Sequence, residues 1–201
     1  MTETGRQFWD AQAETFDDVA DHGLATPEVR EAWEAQLLPV LPGAPARVAD
    51  LGCGTGSISL LLADAGYDVV GADFSRQMVE RAHAKAREAD ARVRLVQADV
   101  ESVPLRPGSF DVVLCRHAVW AVRDIDAALG TWARLLRPDG MFVLVEGLWW
   151  TGVGLSADEL AGCLRRHRRH VEIVPLDAPA LWGGPVDDDR YLLVSRAEAV
   201  A

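Results

Sequence analysis

Three glycines at alternate positions, Gly52, Gly54 and Gly56, close the run Val48–Gly56 (VADLGCGTG). An apolar run precedes them and a helical pattern follows, so Gly52-Cys53-Gly54-Thr55-Gly56 reads as a strand-to-helix loop. Residues without Cβ let backbone approach a ligand closely. A nicotinamide-dinucleotide loop would space its glycines G-x-G-x-x-G, but here the third comes one place early and Ser57 takes its position. Asp73 ends the next apolar run, where a carboxylate can accept hydrogen bonds from both hydroxyls of a ribose. Gln97-Ala98-Asp99-Val100 ends a third run. There Asp99 can accept from an adenine amino group while the Val100 N–H donates to the ring. The plain alternatives are a structural glycine turn and solvated turn aspartates.

A second set of reactive residues follows the fourth apolar run, in Cys115-Arg116-His117-Ala118-Val119-Trp120. His117 has an ordinary pKa of about 6.5, which suits a general base at neutral pH; otherwise it orients its loop. Arg116 can bind a substrate carboxylate, or pair with Asp17, Asp18 or Asp21 and so hold the N-terminal region. His22, in Asp21-His22-Gly23, can meet His117 across a pocket. Trp120, Trp149 and Trp150 offer aromatic walls to a flat or apolar acceptor. Adjacent tryptophans cannot share one helix face, so at least one of Trp149 and Trp150 borders the pocket or its lid.

These residues need elements to carry them. From Arg47 onward strand-like runs alternate with helical patterns, the mark of parallel βαβ units. Strands are expected at Val48–Leu51, Asp68–Ala72, Val93–Gln97, Phe110–Cys115 and Met141–Val145, with further short ones near Val171–Pro175 and Tyr191–Val194. Helices are expected at Ile58–Ala65 and Arg76–Glu88. Another starts at the cap Asp124 and runs to Leu136, where Pro138-Asp139-Gly140 stops it, and a fourth runs through Ser156–Leu164 with a capping box from Ser156 to Glu159. Two helical stretches, around Gln7–Val19 and Pro27–Leu38, precede the alternation and cover one edge or mouth of the sheet.

Together, Val48–Gly56, Ala72–Met78, Gln97–Pro104 and Leu135–Gly140 resemble the successive motifs of class I S-adenosylmethionine-dependent methyltransferases. The resemblance runs from Arg47 to about Val145. It implies an α/β fold, a Rossmann-like three-layer sandwich whose seven-stranded, mostly parallel sheet has an antiparallel last strand, here with an N-terminal helical cap. It implies that Gly52, Gly54 and Gly56 flank the methionyl part of S-adenosyl-L-methionine, that Asp73 holds the ribose, and that Asp99 and Val100 read the adenine. Cys53 and Ala98 come with these loops. Asp50 would orient the glycine loop and reach the methionyl amine through water, Phe74 or Met78 would face the adenine, and the backbone near Cys115 would border the amine. Phe8-Trp9-Asp10 and Thr15-Phe16-Asp17 are similar to the lid of small-molecule methyltransferases, with Trp9 closing over the methionyl end or simply packing a helix.

The expectation is a single domain over 1–201, with 1–46 as cap and 47–201 as core, that methylates nitrogen or oxygen of a small molecule or short peptide and releases S-adenosyl-L-homocysteine. A nucleotide-dependent oxidoreductase and a non-catalytic cofactor-binding scaffold are the alternatives. Thirty-one acidic against twenty basic residues give a net charge of −11, which disfavours nucleic acid and anionic membranes as partners. No apolar run approaches the ~20 residues of a membrane span. Cys53, Cys115 and Cys163 lack metal-ligand spacing and read as reduced cytoplasmic thiols, so no metal is expected; the chain would be a monomer or homodimer. The basic run Arg165–His170 reads as a solvated face or an anion site, and Asp187-Asp188-Asp189 as an exposed turn.

Overall fold

Near-continuous apolar strands must be covered on both faces, which is how a parallel sheet differs from a half-solvated antiparallel one. A computed structural model describes residues 2–197 and shows this arrangement. The ends of the expected span, residue 1 and residues 198–201, lie outside the described residues. Seven strands, β1 (Arg47–Leu51), β2 (Asp68–Asp73), β3 (Arg94–Gln97), β4 (Phe110–Arg116), β5 (Leu136–Leu148), β6 (Glu172–Pro175) and β7 (Asp189–Ser195), form one sheet in the order β3-β2-β1-β4-β5-β7-β6. The pairs among β1 to β5 are parallel, while β7 runs antiparallel to both β5 and β6. The antiparallel last strand agrees with expectation.

Alternating residues of each strand feed opposite faces. Ala49, Leu51, Val113, Phe142 and Leu144 pack with Leu129 and Trp132 of α6 (Ile125–Ala133) and Leu160 and Leu164 of α7 (Ala157–Leu164). Val48, Val112, Leu114 and Val143 pack with Trp33 and Leu37 of α3 (Pro27–Leu37) and Leu61 and Leu62 of α4 (Ser57–Asp64). Each leucine-sized side chain so buried contributes about 1.5–3 kcal/mol. Helix α5 (Arg76–Glu88) lies over β2 and β3 with Met78, Val79, Ala82 and Ala86 buried, the apolar face read from its spacing. Caps form as expected: Asp124 accepts from the Ala127 N–H, and Ser156 and Glu159 make a reciprocal capping box.

Two expectations need correction. The segment Gln7–Val19 is not one helix. Helix α1 (Glu3–Gln12) ends before a 3-10 turn at Phe16–Asp18 and a single helical turn, α2 (Ala20–Gly23). The reason is tertiary, because Asp17 is drawn to Thr55 and Lys85. Nor does Pro138-Asp139-Gly140 separate a helix from a strand beginning at Met141. Helix α6 stops at Ala133, and Leu136 already pairs with Phe110 while Met141 pairs with Val112, so the intervening residues form a bulge within β5. Arg137 on that bulge pairs with Asp111, and the Gly140 carbonyl accepts from Arg168.

The order of strands changes direction between β1 and β4, both of which leave the sheet at the same edge of carboxyl ends. Ligands of open α/β sheets bind in the crevice such a switch opens.

Candidate active site

The loop after β1 is clamped to β2 by its own backbone, the Gly52 and Cys53 N–H groups both donating to the Ala72 carbonyl at 2.8 and 3.1 Å. Gly52 has φ +74°, and a Cβ there would stand 2.5 Å from the Ala118 Cβ. The loops after β1 and β4 therefore touch, and only glycine permits both the turn and the contact. Asp73 faces this loop, its Oδ2 accepting from the Gly54 N–H at 3.0 Å and its Oδ1 from the Ser75 N–H at 2.8 Å. Asp50 accepts from the Ser59 hydroxyl at 2.5 Å. Burial outweighs these bonds and pushes both carboxyls up to about 6. A cavity of about 410 Å³ opens here, bordered by Gly52, Gly54, Asp73, Phe74, Met78 and Val100 at this end.

The cap roofs the cavity and is fastened by two aspartates. Asp10 accepts from the Ser75 hydroxyl and the Gln77 N–H, at the start of α5. Asp17 accepts from the Thr55 hydroxyl at 2.5 Å and from the Lys85 ammonium at 2.9 Å, and Lys85 also donates to Ser57. Helix α1 buries none of its residues, so polar ties rather than an apolar core hold it in place.

At the other end the wall is aromatic. Trp9 meets Phe16 and Trp120 edge-on or tilted, with ring centres 6.3 and 6.4 Å apart, and Trp120 meets Trp149 at 6.0 Å. Among these rings sit His22, stacked on Phe16 at 4.3 Å, and His117, stacked on Trp182 at 5.8 Å. Asp21 is buried beside both, its Oδ2 4.0 Å from His22 Nε2 and 4.0 Å from His117 Nδ1. Arg116 donates to the Asp21 carbonyl at 2.8 Å and lies 3.6 Å from its Oδ2. Burial first, then the Arg116 charge, push His117 well below the ordinary imidazole range, so it is neutral at pH 7. Burial also lowers His22, against the pull of Asp21.

His117 has φ +57°, a left-handed conformation that a non-glycine residue rarely adopts. Its neighbours hold it there. The His117 N–H donates to the Val145 carbonyl, the Trp120 indole donates to the His117 carbonyl, and the Val119 N–H donates to Glu146 at 2.7 Å. Glu146 is fully buried, and desolvation pushes its carboxyl up to about 8 despite that backbone donor. A folded-state pKa above the unfolded one means the folded chain binds the extra proton. Stability from this group is thus present below about 4.5 and declines as pH rises toward 8. Glu146→Gln keeps the acceptor and removes the titration. It is expected to flatten that decline in thermal melts taken across the same range, and an unaltered slope would assign it to another group.

Residues 49–144 match the family model described as a methyltransferase domain. A demethylmenaquinone methyltransferase from Thermus thermophilus is 38% identical over 117 residues, covering 57% of this chain and 53% of that protein. A malonyl-[acyl-carrier protein] O-methyltransferase from Enterobacter lignolyticus is 36% identical over 151 residues, covering 75% and 55%. Among solved structures, a chain of the Haloferax volcanii complex between the Trm112 methyltransferase activator and a methyltransferase superposes with TM-score 0.70 at 25% identity, covering 95% of this chain and 98% of that one. Residues 49–144 thus carry a methyltransferase domain, and the fold around it is that of the class I S-adenosylmethionine-dependent methyltransferases. It spans little more than half the length of the two curated relatives.

Against the pattern of these methyltransferases, the expected residues divide. Trp9, Asp50, Gly52, Cys53, Gly54, Asp73, Phe74, Met78 and Val100 border the cavity, as do Arg116, His117, His22, Trp120 and Trp149. Gly56 stands behind it as the N-cap of α4, and Cys115 is wholly buried in the core, its place on the cavity wall taken by Arg116. Ala98 and Asp99 border a separate hollow of about 280 Å³ that shares Phe74 with the main cavity and is covered by Thr2, Glu3 and Arg6 of the cap. Trp150 is a correction. It is 86% exposed, because the Gly152 N–H donates to the Trp149 carbonyl and this tight turn swings Trp150 outward.

The sequence reading missed Glu146, Lys85 and Arg190. Arg190 reaches the cavity from β7, lies over Trp182 at 4.2 Å and pairs with Asp188. Asp188 is therefore no solvated turn residue, since its side chain is only 7% exposed and also accepts from the Trp150 N–H. The basic run is likewise partly structural: Arg166 and His167 pair with Asp126, and Arg168 with Gly140 and Ser195.

Proposed function

We propose that the chain is an S-adenosylmethionine-dependent methyltransferase that methylates nitrogen or oxygen of a small molecule or short peptide. The observation that carries this is one cavity with two chemically different ends. Asp73 and the glycine loop form one end; Asp21, His22, His117 and a ring of tryptophans form the other. The donor end fits the adenosyl group: a buried carboxylate for ribose hydroxyls, apolar Phe74, Met78 and Val100 for a flat base, and a floor that tolerates no Cβ.

When bound, S-adenosylmethionine supplies a methyl group already activated on a sulfonium. The chain's own work is then alignment, exclusion of water and removal of the acceptor's proton. Trp9 and Phe16, held down by Asp10 and Asp17, exclude water from above. Trp120 and Trp149 align an apolar or flat acceptor. Proton removal falls to Asp21, His22 and His117, the titratable group at that end, and Arg116 fixes the turn bearing Asp21. The net charge of −11 and the modest cavity support a small acceptor over nucleic acid. Among the described residues no helix is long and apolar enough to cross a membrane, and the three cysteines are unpaired, in keeping with the cytoplasmic placement proposed for it.

The test incubates the full chain with methyl-labelled S-adenosylmethionine and cell extract, then searches by mass spectrometry for labelled small products. A labelled amine, ether or ester is expected. Tight S-adenosylhomocysteine binding without any labelled product would favour a scaffold, and affinity for NAD(H) alone would favour an oxidoreductase.

A further inference from the structure

We propose that Asp21, His22 and His117 form a binding site for a divalent first-row transition-metal ion, open toward the acceptor end of the cavity. The three residues each offer one ligand atom, all within 4.8 Å of one another. Two of these separations are 4.0 Å, from Asp21 Oδ2 to His22 Nε2 and to His117 Nδ1. Ligand bonds of about 2.0–2.2 Å place neighbouring ligand atoms about 3–4 Å apart, so an ion needs only a slight contraction of the cluster. Two imidazoles and one carboxylate with open positions suit zinc, iron(II) or cobalt(II), not the all-oxygen preference of magnesium or calcium.

Four features point to an ion rather than to ordinary packing. Asp21 is buried and its Oδ2 has no hydrogen-bond donor, a state that costs free energy unless something positive meets that oxygen. The adjacent Arg116 meets this need only in part: it lies 3.6 Å from that oxygen, and its hydrogen bonds go to the backbone carbonyls of Asp21 and His22. Its charge is shared with Asp50 and Asp17 as well as Asp21. The imidazole rings are held by stacking on Phe16 and Trp182. The backbone is also committed: His117 carries a strained φ, and a Cβ at Gly23 would meet the Asp17 carbonyl at 2.5 Å, so the turn bearing Asp21 and His22 is tightly seated.

The inference rests on reading this end of the cavity as the acceptor's, since an ion here is placed to take an acceptor oxygen or nitrogen as its next ligand; the three residues then promote proton loss through the ion rather than as bases themselves. Its test needs no methyl transfer. Tag-free, chelator-stripped full chain is titrated with zinc(II) by calorimetry and with cobalt(II) by visible absorption. One ion per chain is expected, with affinity reduced about 100-fold or more in His22→Ala and His117→Ala and unchanged in His167→Ala, whose imidazole pairs with Asp126 on the opposite flank. Retained S-adenosylhomocysteine binding shows that each variant is folded, and His22→Asn replaces the alanine variant if it is not. Absence of saturable binding in the wild type, or binding that survives both histidine substitutions, overturns the site. Methyl transfer by an ion-free chain that binds no metal sinks this inference alone; ion binding by a chain with no affinity for S-adenosylmethionine sinks the methyltransferase activity alone.

Discussion

Replacing His117 with alanine is expected to lower turnover by about 10²–10⁴-fold, the range for loss of a positioned proton-transfer group, while leaving affinity for S-adenosylhomocysteine intact. The separation follows from what His117 touches. Its ring meets Trp149, Trp182 and His22 and lies by Asp21, all at the acceptor end. The end proposed for the donor is built from Gly52, Gly54, Asp73, Phe74 and Met78, on other segments. Because burial and Arg116 hold the imidazole neutral well below pH 6.5, its own titration leaves turnover level between pH 6.5 and 8. Single-turnover rates with the acceptor found by the labelling search provide the measurement. A rate equal to the wild type removes His117 from the chemistry.

Asp73→Ala is expected to show the opposite signature, weakening cofactor binding by about 1–3 kcal/mol, or roughly 5–150-fold in dissociation constant. In the free chain this carboxylate is held by two backbone N–H groups, yet burial still raises it to about 6. This shift is opposite to the one usual for an aspartate. With a folded pKa near 6 and an unfolded value of 3.8, the folded chain binds the extra proton, so stability from Asp73 is full below 3.8 and declines as pH rises through 6. Ribose hydroxyls need the ionised form, so affinity should fall as pH drops below about 6. Calorimetric titration of S-adenosylhomocysteine at pH 5 and pH 8 checks the affinity. Equal affinities, or an unchanged constant in Asp73→Ala, would take the ribose role from this residue.

Much of the donor side is legible in the chain because it is local. Near-continuous apolar runs mark β1, β2 and β4, glycine spacing marks the turn after β1, and Asp73 ends its own strand. Helix α5 has the bounds its periodicity predicts, since a long amphipathic pattern between a serine cap and a charged end leaves little freedom. What was not legible depends on contacts distant in sequence. The break after α1 is set by Asp17 meeting Lys85, 68 residues on. Arg190 reaches the cavity only because β7 inserts antiparallel beside β5. Glu146 directly follows the apolar run Met141–Val145 of β5, where periodicity alone gives no reason to single it out. Trp149 and Trp150 are equivalent as letters, and a single backbone turn sends one inward and the other to solvent.

The division of the cavity between strand-end loops, cap and core bears on how such a chain can change over generations. Among the residues lining the end of the cavity proposed for the acceptor, Phe16, His22, Trp120, Trp149 and Arg190 come from four separate stretches and lie outside the packed clusters that cover the sheet. Substitutions at those positions forfeit little of the burial that keeps the chain folded, so selection can test new acceptors there at low risk to the scaffold. Gly52 and Asp73 have no such latitude: one is pinned by contact with Ala118, the other by two backbone donors. Lineages carrying this architecture are therefore expected to diverge in what they modify well before they diverge in what they use to modify it.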